Sequence, residues 1–393
     1  MTRRKVAIIG VGQTQYRSQH EATLPELAQQ AALAALEDAD MTMEDIEAVV
    51  FSMGPSEFVG MNDPEKWCVG AVGGRNRPFM RINTGGATGT SAIHAGFYHI
   101  ASGIFDSVLV VGADKVRECK DSQQVLNTIW DPLYERQFAL TTITMAAFQA
   151  VRHIHLYGTT EEQMALIAVR SWKNALNNPV AHLKGRITVE DVMKSPYLCW
   201  PIKKYEICPS SAGGAAVVMV SEKKARRMGC RPAWIKGCSE FANTVFQGDQ
   251  MGGRAEMDFA DSDILAMAAK EAFHQAGIAN PLKDIQVAEL YAPFTICEIS
   301  MVEALGFCGK GEGGRLNERG FFDIGGRIAV NPSGGTLCAN AIAVTGLARV
   351  CDGALQVMEK ATPGMQVEGV RNVVCHGEGG SFQFHAVVVL GAE

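Results

Sequence analysis

No block of basic residues occurs anywhere along the 393 residues, and the formal net charge is −6. A nucleic-acid surface ordinarily leaves a basic footprint, so that class of partner is not expected. No apolar run approaches the ~20 residues needed to cross a bilayer. The basic start Met1-Thr2-Arg3-Arg4-Lys5 is followed only by the short run Val6-Ala7-Ile8-Ile9-Gly10, which reads as a strand rather than a secretory segment. A cytoplasmic chain with no membrane contact is therefore expected. None of the eleven cysteines forms a C-x-x-C pair, which argues against a zinc site or a disulfide framework and for free thiols in a reducing compartment. No Gly-x-Ser-x-Gly is present, so a hydrolase nucleophile elbow has no anchor. Gly10-Val11-Gly12-Gln13-Thr14-Gln15 follows a strand but lacks the third glycine of a dinucleotide fingerprint. His153-Ile154-His155 has no carboxylate or cysteine at a ligand spacing and reads as a solvated helix face, so no metal is expected. Aromatic residues make up only 7%, and the pairs Trp67-Cys68 and Cys199-Trp200 read as packing residues.

What is present is ordinary for a globular enzyme, with 47% hydrophobic and 20% charged residues and a length suited to two or three domains. The 41 glycines gather in short clusters at strand ends, where the backbone approaches something closely. The chain also repeats itself. Leu27–Leu36 reads as an amphipathic helix, followed by a turn and strand over Met43–Phe51. The same order returns in the helix Leu265–Phe273 and the turn and strand Leu282–Leu290. Ile82-Asn83-Thr84-Gly85-Gly86 opens a helical pattern through Ser102, and Val330-Asn331-Pro332-Ser333-Gly334-Gly335 opens another through Met358. Each is followed by a buried-type strand, Ser107–Gly112 and Asn372–Gly377. Helices alternating with short apolar strands predict two α/β units with largely parallel sheets. The division is placed as residues 1–240 and 241–393, with a loop subdomain at about 115–205 in which Ala165–Leu176 is helical. Phe246–Arg254 is a polar, glycine-rich loop, either mobile beside a ligand or a plain connector.

Several motifs resemble the thiolase superfamily over nearly the whole chain. Cys208-Pro209-Ser210-Ser211-Ala212-Gly213-Gly214-Ala215-Ala216 is similar to the family's segment before the last strand of the first half. Asn331-Pro332-Ser333-Gly334-Gly335 with Thr345-Gly346-Leu347-Ala348 resembles a second, more specific motif. Leu290-Tyr291-Ala292-Pro293-Phe294 with Glu303-Ala304-Leu305-Gly306 resembles the sterol-carrier-protein type, whose corresponding motif is His-Asp-Cys-Phe. The resemblance implies a thiolase fold: duplicated five-stranded mixed sheets with central helices, layered α/β/α/β/α.

The departures from the family carry the functional reading. Thiolases place a cysteine at the N-terminus of the first duplicated helix, where the helix end lowers its pKa. Aligned through Gly89, that position is Gly86, so no acyl-enzyme forms there, while the local N–H groups still suit an oxyanion. The family's Gly-His-Pro motif falls on Thr336–Thr345, with the histidine's place at Asn340 or Ala341, neither of which takes a proton. Cys338 stands nearby, either reaching the pocket or buried in a helix-start loop. In Val374-Cys375-His376-Gly377-Glu378-Gly379-Gly380 the acid/base of ordinary thiolases falls on Cys375 and that of the sterol-carrier type on His376. His376 is favoured, since a histidine's unperturbed pKa near ~6.5 suits proton transfer. Tyr291 fills the slot of an Asn or His that polarises the thioester, and its hydroxyl can donate to an enolate, or it is a packed strand-end residue. Tyrosine here also resembles the thiolase-like aldolases of steroid side-chain degradation, whose second tyrosine falls on Ala341.

The resemblance thus implies thiolase-type acyl transfer on a 3-oxoacyl-CoA, with coenzyme A as substrate and no bound cofactor. Free CoA thiol attacks the ketone, His376 or Cys375 acts as base, and Tyr291 with N–H groups near Gly86, Gly335 and Gly377 and the Asn340 side chain hold the enolate. Cys338 as a displaced nucleophile is a variant. The alternatives are a retro-aldolase splitting a 3-hydroxyacyl-CoA and a catalytically silent acyl-CoA-binding scaffold. A homodimer through the sheet edge and a small partner with a zinc ribbon and an OB-fold are also implied.

Overall fold

The computed structural model describes residues 4–250 and 257–393. Residues 251–254 of the glycine-rich loop lie outside the described residues. Two strands, β4 (Ser107–Lys115) and β7 (Ala212–Ser221), are buried at every position. Their continuous Val/Ala runs are what a sheet covered on both faces requires. They belong to a five-strand set with β1 (Val6–Gln13), β2 (Ala48–Ser52) and β3 (Phe79–Ile82), in spatial order β1-β7-β4-β2-β3. A short hairpin of β5 (Tyr197–Cys199) and β6 (Ile202–Lys203) lies apart from it. The second set has the order β8-β12-β11-β9-β10, with β8 (Ala233–Ala242), β9 (Val287–Glu289), β10 (Ala329–Val330), β11 (Asn372–Gly379) and β12 (Phe384–Gly391). Within each set the three far strands run parallel, and the other two pairings are antiparallel. The sets are therefore copies in both order and sense. They join through β1 and β8, where Ala7 faces Trp234 and Ile8 faces Ala233. The boundary expected at residue 240 falls inside β8, which pairs with β12 and belongs to the second copy.

Four helices complete the layers. The first, α1 (Leu24–Asp38), starts at a capping box from Thr23 and Glu26 and buries Leu27, Ala28, Ala31 and Ala35 on the outer face of the first copy. Gly10 and Gly12 have no side chain because a Cβ there would meet the Ala35 and Ala31 carbonyl oxygens at 2.2 Å. Close helix packing, not nucleotide binding, explains that glycine pair. Between the copies lie α2 (Thr88–Ala101) and, later in the chain, the helix Ala343–Met358. On the outer face of the second copy is α3 (Asp263–Ala276), against β8 and β12, and the helix Ala343–Met358 is α4. Of α4, every residue but Leu355 is buried. It meets α2 backbone to backbone, for a Cβ on Gly89 would stand 2.0 Å from the Leu347 nitrogen.

The expected helix opening at Val330 is a loop instead. Left-handed backbone at Asn331 (φ 50°), Gly334 (92°), Gly335 (64°) and Ile342 (43°) delays the helix to Ala343. The loop subdomain between β4 and β7 holds the helices Thr142–Tyr157 and Glu161–Ala175. Two surface readings change. His153 is fully buried, bonded to Thr159 and Glu303, so it is a core histidine and not part of a solvated face. Trp67 and Trp200 are exposed rather than packed. No helix of the described residues is long and apolar enough to cross a membrane.

Candidate active site

A cavity of about 340 Å³ opens where the ends of β9 and β11 meet the start of α2 and the loop entering α4. Leu126, Ile129 and Ile143 of the loop subdomain form an apolar wall, with Ile207, Phe294 and Ile342. Against this wall stand a few polar groups: Tyr291, Asn340, Cys208 and Glu378, with the glycine pair Gly85 and Gly86. An apolar cleft with a few convergent polar groups is the usual form of a small-molecule site.

Gly86 lies in a single 3-10 turn, Gly85–Ala87, that feeds α2. A Cβ there would stand 2.3 Å from the Glu378 carbonyl oxygen and 2.8 Å from the Tyr291 hydroxyl. Tyr291 therefore occupies the space into which any side chain at 86 would project. Its backbone is tied to β11 by an N–H donated to the His376 carbonyl at 3.2 Å. Burial, and then the neighbouring Cys208 and Glu378, hold the phenol well above its ordinary pKa, so it remains a donor.

Asn340 is the hub. Its Oδ1 accepts from the Tyr291 hydroxyl (3.0 Å), the Thr345 hydroxyl (3.0 Å) and the Ile342 N–H (3.2 Å). Its Nδ2 donates to Cys208 Sγ at 3.0 Å. The Asn340 backbone exchanges bonds with Ser211, whose hydroxyl also meets His182 Nδ1 at 2.9 Å. Glu378, near the end of β11, is 5% exposed, and its Oε2 has no hydrogen-bond partner. Burial pushes its carboxyl up to about 8, against a backbone N–H at Phe382 that pulls the other way. At neutral pH it is mostly an uncharged acid, on a residue that lines the cavity. Burial likewise pushes the Cys208 thiol up to about 11, although the Asn340 amide opposes it.

Of the residues expected at the site, Gly86, Tyr291 and Asn340 line this cavity. The others are placed elsewhere. His376 is fully buried one pleat deeper, its Nε2 against His385 Nδ1 at 3.0 Å and the two rings stacked. Burial, and then His385, depress its pKa well below the ordinary value, so it is a poor proton acceptor at neutral pH. Cys375 points to the opposite face of β11, into the core beneath α4 at Gly353, and burial raises its pKa far above that of a free thiol. Cys338 packs with Ala175, Ala181 and Trp172. Gly335 turns against the Asn331 side chain and Gly377 against Thr90, both behind the cavity wall. The ionisable side chain that β11 brings to the cavity is Glu378, two residues beyond His376 on the same strand face. Pleat alternation could have found it; the depth along the strand could not be read from the sequence. Cys208 had no such signal, since only the fold brings it to Asn340.

Residues 6–195 match the family described as the thiolase N-terminal domain, and residues 249–392 the thiolase C-terminal domain-like family. An acetyl-CoA acetyltransferase of Methanothermobacter thermautotrophicus is 32% identical over 96% of this chain and 97% of its own. The chain belongs to the thiolase superfamily. A second relative within it, benzoylsuccinyl-CoA thiolase subunit BbsB of Thauera aromatica, is 30% identical over 96% of this chain and 95% of its own. Among solved structures, the Ltp2-ChsH2(DUF35) aldolase superposes with a TM-score of 0.83 at 27% identity, covering 99% of this thiolase-family chain and 98% of the aldolase chain. These relatives are enzymes acting on thioesters or splitting carbon–carbon bonds, which fits an acyltransferase family with lyase members.

Proposed function

We propose that the protein makes or breaks a carbon–carbon bond in an acyl-CoA, as a thiolase-type acyltransferase on a 3-oxoacyl-CoA with no acyl-cysteine at position 86. One observation carries this reading: the Tyr291 hydroxyl lies 2.8 Å from where a Cβ at 86 would begin. At the head of α2 a neutral hydrogen-bond donor stands in place of a nucleophile. Breaking the C2–C3 bond of a 3-oxoacyl thioester leaves an electron pair as a thioester enolate. Such an oxyanion is stabilised by donors already fixed in a dry site. Tyr291 becomes one donor when its O–H turns from Asn340 Oδ1 to the enolate, and the Gly86 N–H in the turn before α2 is another. Glu378 takes the acid/base role that the sequence suggested for His376. Its neutral form protonates the enolate carbon, and its ionised fraction accepts a proton from an attacking thiol. CoA enters as substrate. Among the described residues no cluster of three His, Cys, Asp or Glu side chains is arranged to hold a metal.

The test is a CoA-consumption assay with 3-oxoacyl-CoA substrates, and loss of free thiol in step with two acyl-CoA products is expected. A second reading, retro-aldol cleavage of a 3-hydroxyacyl-CoA, is favoured by the likeness to the Ltp2-ChsH2(DUF35) aldolase. Release of a ketone or aldehyde with no CoA uptake would select it. Turnover of neither substrate, with partner present, would select a silent acyl-CoA-binding scaffold. The names of that aldolase and of the BbsB subunit describe multi-component enzymes. On that basis we infer a partner subunit; its zinc-ribbon and OB-fold type, a homodimer and a cytoplasmic location are proposals that rest on the sequence reading alone.

A further inference from the structure

With position 86 closed, the thiol that attacks the ketone is either free CoA or another thiol of the site. Among the described residues the cavity is lined by one cysteine, Cys208. Its Sγ accepts a hydrogen bond from Asn340 Nδ2 at 3.0 Å, and the same amide accepts from Tyr291 through Oδ1 at 3.0 Å. The sulfur and the enolate donor are thereby fixed relative to each other by one rigid side chain. The Cys208 backbone is pinned by its N–H to the Pro293 carbonyl at 2.9 Å, two residues beyond Tyr291. An independent observation points to a proton partner: Glu378 lines the same cavity, is 5% exposed, and leaves Oε2 without a partner. A buried carboxyl oxygen with no bond is costly unless a ligand or a proton transfer uses it.

We propose that Cys208 is the displaced nucleophile, taking the acyl group from a 3-oxoacyl-CoA as a Cys208 thioester. The proposal rests on the acyl-transfer reading above and names the acceptor in it. Ionised Glu378 accepts the thiol proton as Cys208 Sγ bonds to the C3 carbonyl carbon, giving a tetrahedral alkoxide. Collapse of the alkoxide breaks C2–C3 and sends the electron pair to the thioester enolate, to which the Tyr291 O–H turns from Asn340 Oδ1. The enolate carbon takes the proton back from Glu378, and the acyl-CoA that keeps C1 and C2 leaves, while the shortened acyl chain stays on Cys208. A CoA thiol then gives its proton to Glu378, attacks the Cys208 thioester and releases Sγ, which is reprotonated. The sum is one 3-oxoacyl-CoA and one CoA converted into two acyl-CoA molecules, with no oxidant or reductant. Cys338 and Cys375, buried away from the cavity, have no part in it.

The experiment uses the purified full chain, with any subunit that co-purifies, and a 3-oxoacyl-CoA labelled in the distal acyl group, acid-quenched without free CoA and mapped by peptide mass spectrometry. A label on the Cys208 peptide that is discharged by added CoA is the expected result. Cys208→Ser and Cys208→Ala, checked for native circular dichroism, should each lose the label and at least 100-fold of CoA-dependent cleavage. In parallel, exchange of C2 hydrogens of a saturated acyl-CoA for deuterium by the wild-type protein reads enolate formation alone. Exchange with no Cys208 label, or cleavage retained within threefold in both variants, overturns the nucleophile and leaves the enolate site standing. Neither exchange nor label overturns both.

Discussion

At the scale of single residues the site turns on a hydroxyl and a carboxyl. Tyr291→Phe removes the donor but leaves Asn340 Oδ1 two others, from Thr345 and Ile342. Its cost in stability is therefore small, about 1 kcal/mol. The turnover of a 3-oxoacyl-CoA should fall by roughly 10²–10³-fold, as when one oxyanion donor is lost. Steady-state kinetics beside a thermal melt would show the two effects apart, and a loss of stability matching the loss of rate would remove the catalytic role. Glu378→Gln tests the carboxyl through pH. Burial raises the folded-state value from 4.5 to about 8, so folding favours the protonated acid. That contribution is complete below about pH 4.5 and is lost as pH climbs through about 8. Relative to Glu378→Gln, wild-type stability should decline across this window, by roughly 4–5 kcal/mol at full effect. Denaturant titrations at pH 5 and 9 read the difference directly, and parallel pH profiles for the two proteins would refute the burial argument. Only part of this site was legible beforehand. Gly86 and Tyr291 stand out in the sequence because they break a pattern. Glu378 and Cys208 break none, and what places them at the cavity is depth along a strand and a hydrogen bond to a residue far away in the chain.

At the scale of elements, the duplication was visible because helix, turn and strand recur in one order with one apolar rhythm. The start of α4 was not. Asn331-Pro332-Ser333-Gly334-Gly335 looks like a helix opening, yet positive φ at four positions spreads it into a loop that carries Asn340 to the cavity. That loop ends on Ile342, held at φ 43°, and the next turn is anchored by a carboxylate from the other half of the chain. Asp114, buried near the end of β4, accepts from the Gly54 N–H at 3.0 Å and the Val344 N–H at 3.2 Å. It thus fixes two cavity walls at once, because Pro55 follows Gly54 and Ile342 stands two residues before Val344. Asp114→Ala leaves two buried donors without acceptors, which should cost about 2–4 kcal/mol. Displacement of the walls should lower kcat/KM by up to about 100-fold, since a 1 Å error in placement is enough. Asp114→Asn keeps an acceptor for one amide and should fall between. If both variants melt like the wild type, the carboxylate is not the anchor.

At the scale of the whole molecule, the ten-stranded sheet ends at β3, a four-residue strand paired only to β2. An open edge presents unpaired N–H and C=O groups, and proteins either protect such edges or pair them with another chain. Here the edge carries Met80, 46% exposed, beside Arg81, whose guanidinium is paired to Glu65. Two copies meeting edge to edge at β3 would continue the sheet and bury that methionine, which is the isologous contact of a two-fold dimer. Light scattering on the purified protein at micromolar concentration should give about twice the chain mass of 42.3 kDa. Met80→Asp puts two like charges face to face across the axis and leaves the rest of the strand untouched, so it should shift the protein to a monomer with an unchanged circular dichroism spectrum. The consequence reaches the site through the chain itself. Three residues after Ile82 closes β3, the Gly85–Ala87 turn begins the cavity wall, so a loosened edge should raise KM more than it lowers kcat. A wild-type protein that runs as a monomer, or a Met80→Asp dimer with native kinetics, would show that the edge is sealed in some other way.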